Sequence, residues 1–172
     1  MATTVLTPGF VPPPASAHPR CPGSVKPPGA ASLRTVAKAV VCEVNLERRG
    51  RGLGAVSADP RLSRAARRHA RAMVRLGFFA HTSPGGGTLA ERLRANGYAG
   101  GRWAAGETLA WGSGDRATPH SVVAMWMASP PHQAVLLGPE YRDVGIGVVL
   151  GSPFGGPRGE SATYVGELGR AQ

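Results

Sequence analysis

The chain predicts an α+β fold, an antiparallel sheet covered by helices. Three observations carry this. The apolar periodicity is helical through the first three quarters of the chain and strand-like only near the end. The two strand-like runs, Val144 to Leu150 and Ala162 to Leu168, flank a Gly-Ser-Pro-Phe-Gly-Gly-Pro segment suited to a hairpin. Helices and strands do not alternate regularly, which argues against a doubly wound parallel sheet.

Residues 1–31 are rich in proline and lack periodicity, and read as a tail or linker; residues 32–172 read as one domain. Within the tail, Ala15-Ser16-Ala17 matches the small-x-small pattern of a signal-peptidase site. Pro8 and Pro12-Pro13-Pro14 interrupt the apolar run before it, and no basic region precedes it. Two readings stand: a degraded or start-truncated export signal, or a Pro-rich tail. Cys21 and Cys42 allow one disulfide or two free thiols.

The first helix starts at the cap Ser32-Leu33-Arg34-Thr35, carries Leu33, Val36, Val40/Val41 and Val44, and stops at Gly50 to Gly54. The second starts at Asp59-Pro60, an N-cap followed by proline at the first helical position, and ends at Gly77. Leu62, Ala66, His69/Ala70 and Met73 form its apolar stripe, and its arginines face elsewhere. Thr88 caps a short helix carrying Leu89 and Leu93 that closes at Asn96-Gly97. Gly106 to Ala110 is a short extended segment or a helix start. Thr118-Pro119 opens a helix with Val122, Val123, Met125 and Trp126 inward, which breaks at Ser129-Pro130-Pro131.

Formal charge is +10, from 20 basic and 10 acidic residues. A basic surface suits cell-wall polymers, lipid head groups or nucleic acid. The arginines of residues 61 to 75 have no interleaved aromatics and no recognition motif, which leaves nonspecific anionic-polymer binding and excludes specific nucleic-acid recognition. No stretch approaches the roughly 18 apolar residues of a membrane span. No serine sits in a Gly-x-Ser-x-Gly elbow, and Pro84-Gly85-Gly86-Gly87 lacks the lysine of a phosphate loop.

Three ionisable residues stand at element ends among apolar or glycine neighbours: His81, Glu107 and His132. Taken singly, each can be a helix cap or a solvated side chain. The words around them resemble a known family. Phe78-Phe79-Ala80-His81-Thr82-Ser83-Pro84-Gly85-Gly86-Gly87, Arg92...Gly97-Tyr98, Gly106-Glu107-Thr108-Leu109-Ala110, Trp126-Met127-Ala128-Ser129-Pro130-Pro131-His132 and Val144-Gly145-Ile146-Gly147-Val148 run in the order of the CAP superfamily. That superfamily comprises cysteine-rich secretory, antigen 5 and pathogenesis-related 1 proteins, and the match is to its bacterial SCP-domain branch.

The resemblance implies a three-layer α-β-α sandwich with a central groove, and a secreted or surface-exposed location. In eukaryotic members of the superfamily that groove holds a tetrad of two His and two Glu, sometimes loaded with a divalent metal. His81 and Glu107 fall on the first His and first Glu. Ser129 stands at the second Glu, and the second His is replaced near Thr163 or Tyr164. Tyr164-Val165-Gly166-Glu167-Leu168-Gly169 departs from the branch's Tyr-Trp-Thr-Gln-x-Phe-Gly, and Pro131 replaces its Gly.

The expected function is a non-enzymatic module binding a lipid, sterol, cell-wall fragment or partner in a groove lined by His81, Glu107, Ser129 and His132. Phe78 and Phe79 would anchor the helix exit and hold His81 at the groove floor. The alternatives are a hydrolase using the same cluster, with a metal such as zinc on His81, Glu107 and His132, and a His-Glu pair that merely staples the fold. Oligomeric state is open.

Overall fold

A computed structural model describes residues 21–156, 159 and 161–171. The Ala15-Ala17 motif and most of the proline-rich segment lie outside these residues. Cys21 and Cys42 form a disulfide. Thus the described part of the proline-rich segment is tied to the first helix, and Ser24 O accepts a bond from His120 N–H at 2.9 Å.

The helices are α1 (Leu33–Arg49), α2 (Pro60–Leu76), α3 (Leu89–Ala95), α4 (Pro119–Met127) and α5 (Pro130–Leu136). The strands are β1 (Ser57–Ala58), β2 (Trp103–Ser113), β3 (Asp143–Leu150) and β4 (Ser161–Ala171). They form one sheet in the order β1-β3-β4-β2. Its three long strands are antiparallel, and β1 adds a short parallel rung at one edge.

Strand alternation splits the sheet's side chains between two helical layers. Ala110, Val144, Ile146, Val148, Ala162, Tyr164 and Leu168 pack with Val36, Val40 and Val44 of α1 and Val122, Val123 and Trp126 of α4. On the other face Leu109 and Val165 meet Ala66, Ala70 and Met73 of α2, and Leu93 of α3 joins Leu62, Ala65 and Tyr98. The result is the α-β-α sandwich.

The close seating of α2 depends on two glycines. A Cβ on Gly145 or Gly147 would lie 2.3 Å from backbone atoms of α2. The Gly-Ile-Gly alternation of β3 therefore removes side chains on one face and keeps Ile146 on the other. Asp59 accepts from the N–H groups of Arg61 and Leu62 at the start of α2, and Gly77 ends it with φ 68°.

Arg48 is fully buried. Its guanidinium donates to the carbonyls of Gly54, Leu136, Gly138 and Tyr141 at 2.8, 2.7, 3.1 and 3.4 Å. It joins the end of α1 to the end of α5 through hydrogen bonds to peptide carbonyls, with the charge of Glu140 adding a favourable contribution.

Of the two readings of segment 106–110 the extended one holds, and it is longer than expected: the segment is the centre of the eleven-residue strand β2. Two further readings of the sequence are corrected. Pro130 and Pro131 open a further helix rather than only ending α4, since proline's fixed φ and missing N–H suit the first helical turn. Met125 is 38% exposed and points away from the core that Trp126 enters.

Candidate functional site

The left-handed turn at Gly77 sends the chain out of α2 and past the edge strand β2. Phe78 and Phe79 are partly buried against Ala70, Met73, Leu109 and Val165. Their rings hold the exit segment while the loop beyond stays at the surface. His69, buried on α2, latches that loop: its Nε2–H donates to Ala80 O at 2.9 Å. Burial lowers the His69 pKa, which favours the neutral ring with a bare Nδ1; that atom has no partner among the described residues.

Glu107, near the middle of β2, is the hub. Its side chain is 2% exposed and its Oε1 is 2.8 Å from His81 Nδ1. Arg92 Nη2 donates to Oε2 at 2.5 Å. The other arginine nitrogen, Nη1, donates to His81 O at 2.9 Å and Gly87 O at 3.0 Å, gathering both ends of the 81–87 loop. Arg92 is positioned by α3, whose start is fixed by a reciprocal cap between Thr88 and Glu91.

His81 stands at the rim, not the floor: its side chain is 56% exposed. The hydrogen bond to Glu107 is the main cause of a raised His81 pKa, opposed by partial burial. Nδ1 is directed inward, and Nε2 makes no hydrogen bond among the described residues. A buried carboxylate thus holds the ring, favours its protonated form and leaves its far nitrogen facing outward.

Beneath the rim lies a second carboxyl group. Glu167 of β4 is directly opposite Glu107 in the ladder, fully buried, with neither carboxyl oxygen partnered among the described residues. Burial first, and then the charge of Glu107, pushes its pKa up to about 9. Glu167 is a neutral acid at pH 7, able to donate one hydrogen bond.

The structure brings His81 and Glu107 together and adds Arg92 and Glu167, neither of which sequence reasoning placed in the site. Arg92 lies with Leu89, Leu93 and Asn96 on one helical stripe, and a charge on such a stripe was the available signal. Glu167 stands where the bacterial pattern has Gln, two residues from the buried Val165 on the same strand face. His132, in α5, is half-buried. Burial lowers its pKa, and the charge of His81 lowers it further. It makes no hydrogen bond to His81 or Glu107. Ser129 occupies the N-cap of α5, without a side-chain capping bond.

A catalytic zinc site would need three protein ligands and a water. Among the described residues no group of three His, Cys, Asp or Glu is arranged to hold a metal ion. Arg92 also fixes a positive charge against the carboxylate that a cation would need. The residues present do not fit a resident divalent metal.

An α-β-α sandwich with an imidazole–carboxylate pair at the edge of its sheet defines an SCP-type domain. The chain belongs to the CAP family: the model of that family, described as Cysteine-rich secretory protein family, matches residues 41–165. The "Uncharacterized protein YkwD" of Bacillus subtilis (strain 168) is 33% identical over 118 residues, 69% of this chain and 44% of that protein. The chain therefore spans less than half the length of this relative. An extracellular SCP-domain protein from Bacillus anthracis superposes with TM-score 0.68 at 22% identity, over 80% of this chain and 41% of the other. An outer surface protein of Borrelia burgdorferi gives TM-score 0.66 at 20% identity, over 78% of this chain and 92% of the other. At these identities the two structures share the fold.

Proposed function

We propose that the chain is an extracellular, non-catalytic CAP module whose His81 site, flanked by His132 and Ser129, binds a small or lipidic ligand or a partner. The observation that carries this is the commitment of both Glu107 oxygens, one to His81 and one to Arg92. The carboxylate is committed to holding a loop and the His81 ring. What faces outward is an imidazole edge whose protonated form Glu107 favours, suited to a carboxylate, phosphate or carbonyl oxygen.

The extracellular assignment is supported by the disulfide, which persists in oxidising compartments. It is supported too by solved relatives described as extracellular and outer surface proteins.

A thermal-shift screen with fatty acids, sterols and cell-wall muropeptides tests the reading. A stabilising ligand whose effect is lost in His81→Ala supports it; no shift with any of the three classes sinks it.

One observation favours a hydrolytic alternative. A buried carboxylate on Nδ1 that leaves Nε2 outward is also the geometry of a general base. The raised His81 pKa weighs against that role, because a base must be unprotonated at working pH.

A further inference from the structure

The His81 site lies on the β2 edge of the sheet, and the opposite edge is built differently. There β1 pairs only Ser57 and Ala58 with Asp143 and Val144. The chain then leaves the sheet at Asp59, whose N–H donates to Val144 O at 2.8 Å. Beyond that point β3 has no outer strand among the described residues.

The ladder from β3 to β4 fixes where its free backbone groups point. Leu150 is opposite Ala162, and Gly151 N–H donates to Ser161 O at 2.7 Å. Hydrogen-bonded and non-bonded pairs alternate in an antiparallel ladder. The N–H and C=O groups of Ile146 and Val148 therefore face away from β4. These residues are only 6% and 3% exposed, so their outward polar groups sit in a recess.

That recess is a groove of about 560 Å³ between α1 and α2, floored by Ile146 and Val148. Arg34 and Lys38 of α1 and Arg64 and Arg67 of α2 line it. None of the four forms an ion pair among the described residues. Asp59, the acid in the lining, is held by Arg61 at 2.8 Å. Among the described residues the groove thus combines an unpaired strand edge with uncompensated positive charge.

These features select among occupants. A hydrocarbon chain would cover backbone N–H and C=O groups without bonding them, which is costly. A second copy of the chain would bring two sets of four cations together. An extended peptide satisfies the backbone groups by strand addition, and acidic side chains on it meet the basic rim.

We propose that the free edge of β3 between α1 and α2 takes an extended acidic segment of a partner protein as an added strand along Ile146–Leu150. At roughly 3.3 Å per residue this edge matches about five residues of peptide. The site is separate from the His81 cluster, and its test does not depend on the ligand there.

The probe is a capped heptapeptide alternating Glu and Val, titrated into the full chain labelled with nitrogen-15. The expected result is saturable movement of the Ile146 and Val148 amide signals, weakened by salt. Two further peptides carry N-methyl groups on one or the other set of alternate residues. One of them should lose about tenfold or more in affinity, because one set faces β3.

The double variant Arg64→Glu/Arg67→Glu, checked for unchanged melting, should also lose about tenfold or more, and a Lys-Val peptide should not bind. Equal binding of both methylated peptides, or no binding of the parent, overturns the proposal. So does movement of the same signals by phosphatidylglycerol vesicles alone, which would make the groove a lipid site. A concentration-dependent dimer whose formation shifts those amides would make it a self-association edge and overturn it equally.

Discussion

Glu107 and Glu167 face each other across the β2–β4 ladder, and the fold treats them oppositely. Glu107 is bonded by His81 and Arg92, whereas Glu167 is sealed beneath them without a partner among the described residues. Two like charges directly opposed in a buried ladder are unfavourable. The conflict is resolved by one group keeping its proton.

Replacing Glu167 by Gln preserves shape and a hydrogen-bond donor while removing the titration. In the folded protein Glu167 releases its proton only near about 9, against an ordinary value of 4.5. The unfolded chain therefore ionises first, and the stability of the native sequence falls as pH rises through that interval. Glu167→Gln should match the native protein at pH 4 and exceed it by about 4–5 kcal/mol at pH 8. Urea melts across this range check it; a difference that does not change with pH refutes the assignment.

Arg92→Met keeps much of the side-chain volume and removes every bond to Glu107, His81 O and Gly87 O. Breaking one partner of a largely buried ion pair costs on the order of 3 kcal/mol. Hydrogen exchange should rise first in residues 80–87, where the loop ends are released. The His81 pKa should rise further, because Arg92 opposes its protonation in the native protein.

His81 should titrate above its ordinary 6.5, and Glu107→Gln should bring it down. The sign for stability follows from the raised folded-state value. The His81–Glu107 attraction is fully present below the unfolded pKa and is lost as pH rises through the folded one. Proton NMR of the imidazole ring measures both proteins; equal values in the two would disconnect the pair.

Gly147→Ala tests the seating of α2. The new methyl would lie 2.3 Å from the backbone of Ala66 and Arg67, and no side-chain rotation can relieve that contact. A loss of more than about 3 kcal/mol, or failure to fold, is expected. The same change at Gly85, where nothing lies within 4 Å, should leave the melting temperature nearly unchanged.

The sequence signals were strongest where local chemistry sets the structure. Asp59-Pro60 and Gly77 bracket α2 because the cap, the fixed proline φ and the left-handed glycine all act within a few residues. The His81–Glu107 pairing came from the order of the family motifs, with 26 residues between the two partners. By contrast β2 was obscured by Gly106 and Gly112, which break the apolar alternation. Their missing side chains make room for Val135 and Tyr141 at one position and for the backbone of Arg116 at the other. The roles of Arg92 and Glu167 are not legible in the sequence because a buried charge takes its meaning from partners far along the chain. Nothing near Glu167 in sequence indicates that Glu107 will stand opposite it in the ladder.

The carbonyls of Leu136, Gly138 and Tyr141 that hold Arg48 come from 88, 90 and 93 residues further along the chain. During synthesis, α1 emerges long before those acceptors exist, so its guanidinium must stay hydrated while most of the polypeptide is still being made. Desolvating a permanent cation without them is prohibitive. The first helix therefore locks into place late, after the C-terminal third has arrived. Growing chains cut short before residue 136 should be captured by holdase chaperones, with the last turn of that helix still open to protease.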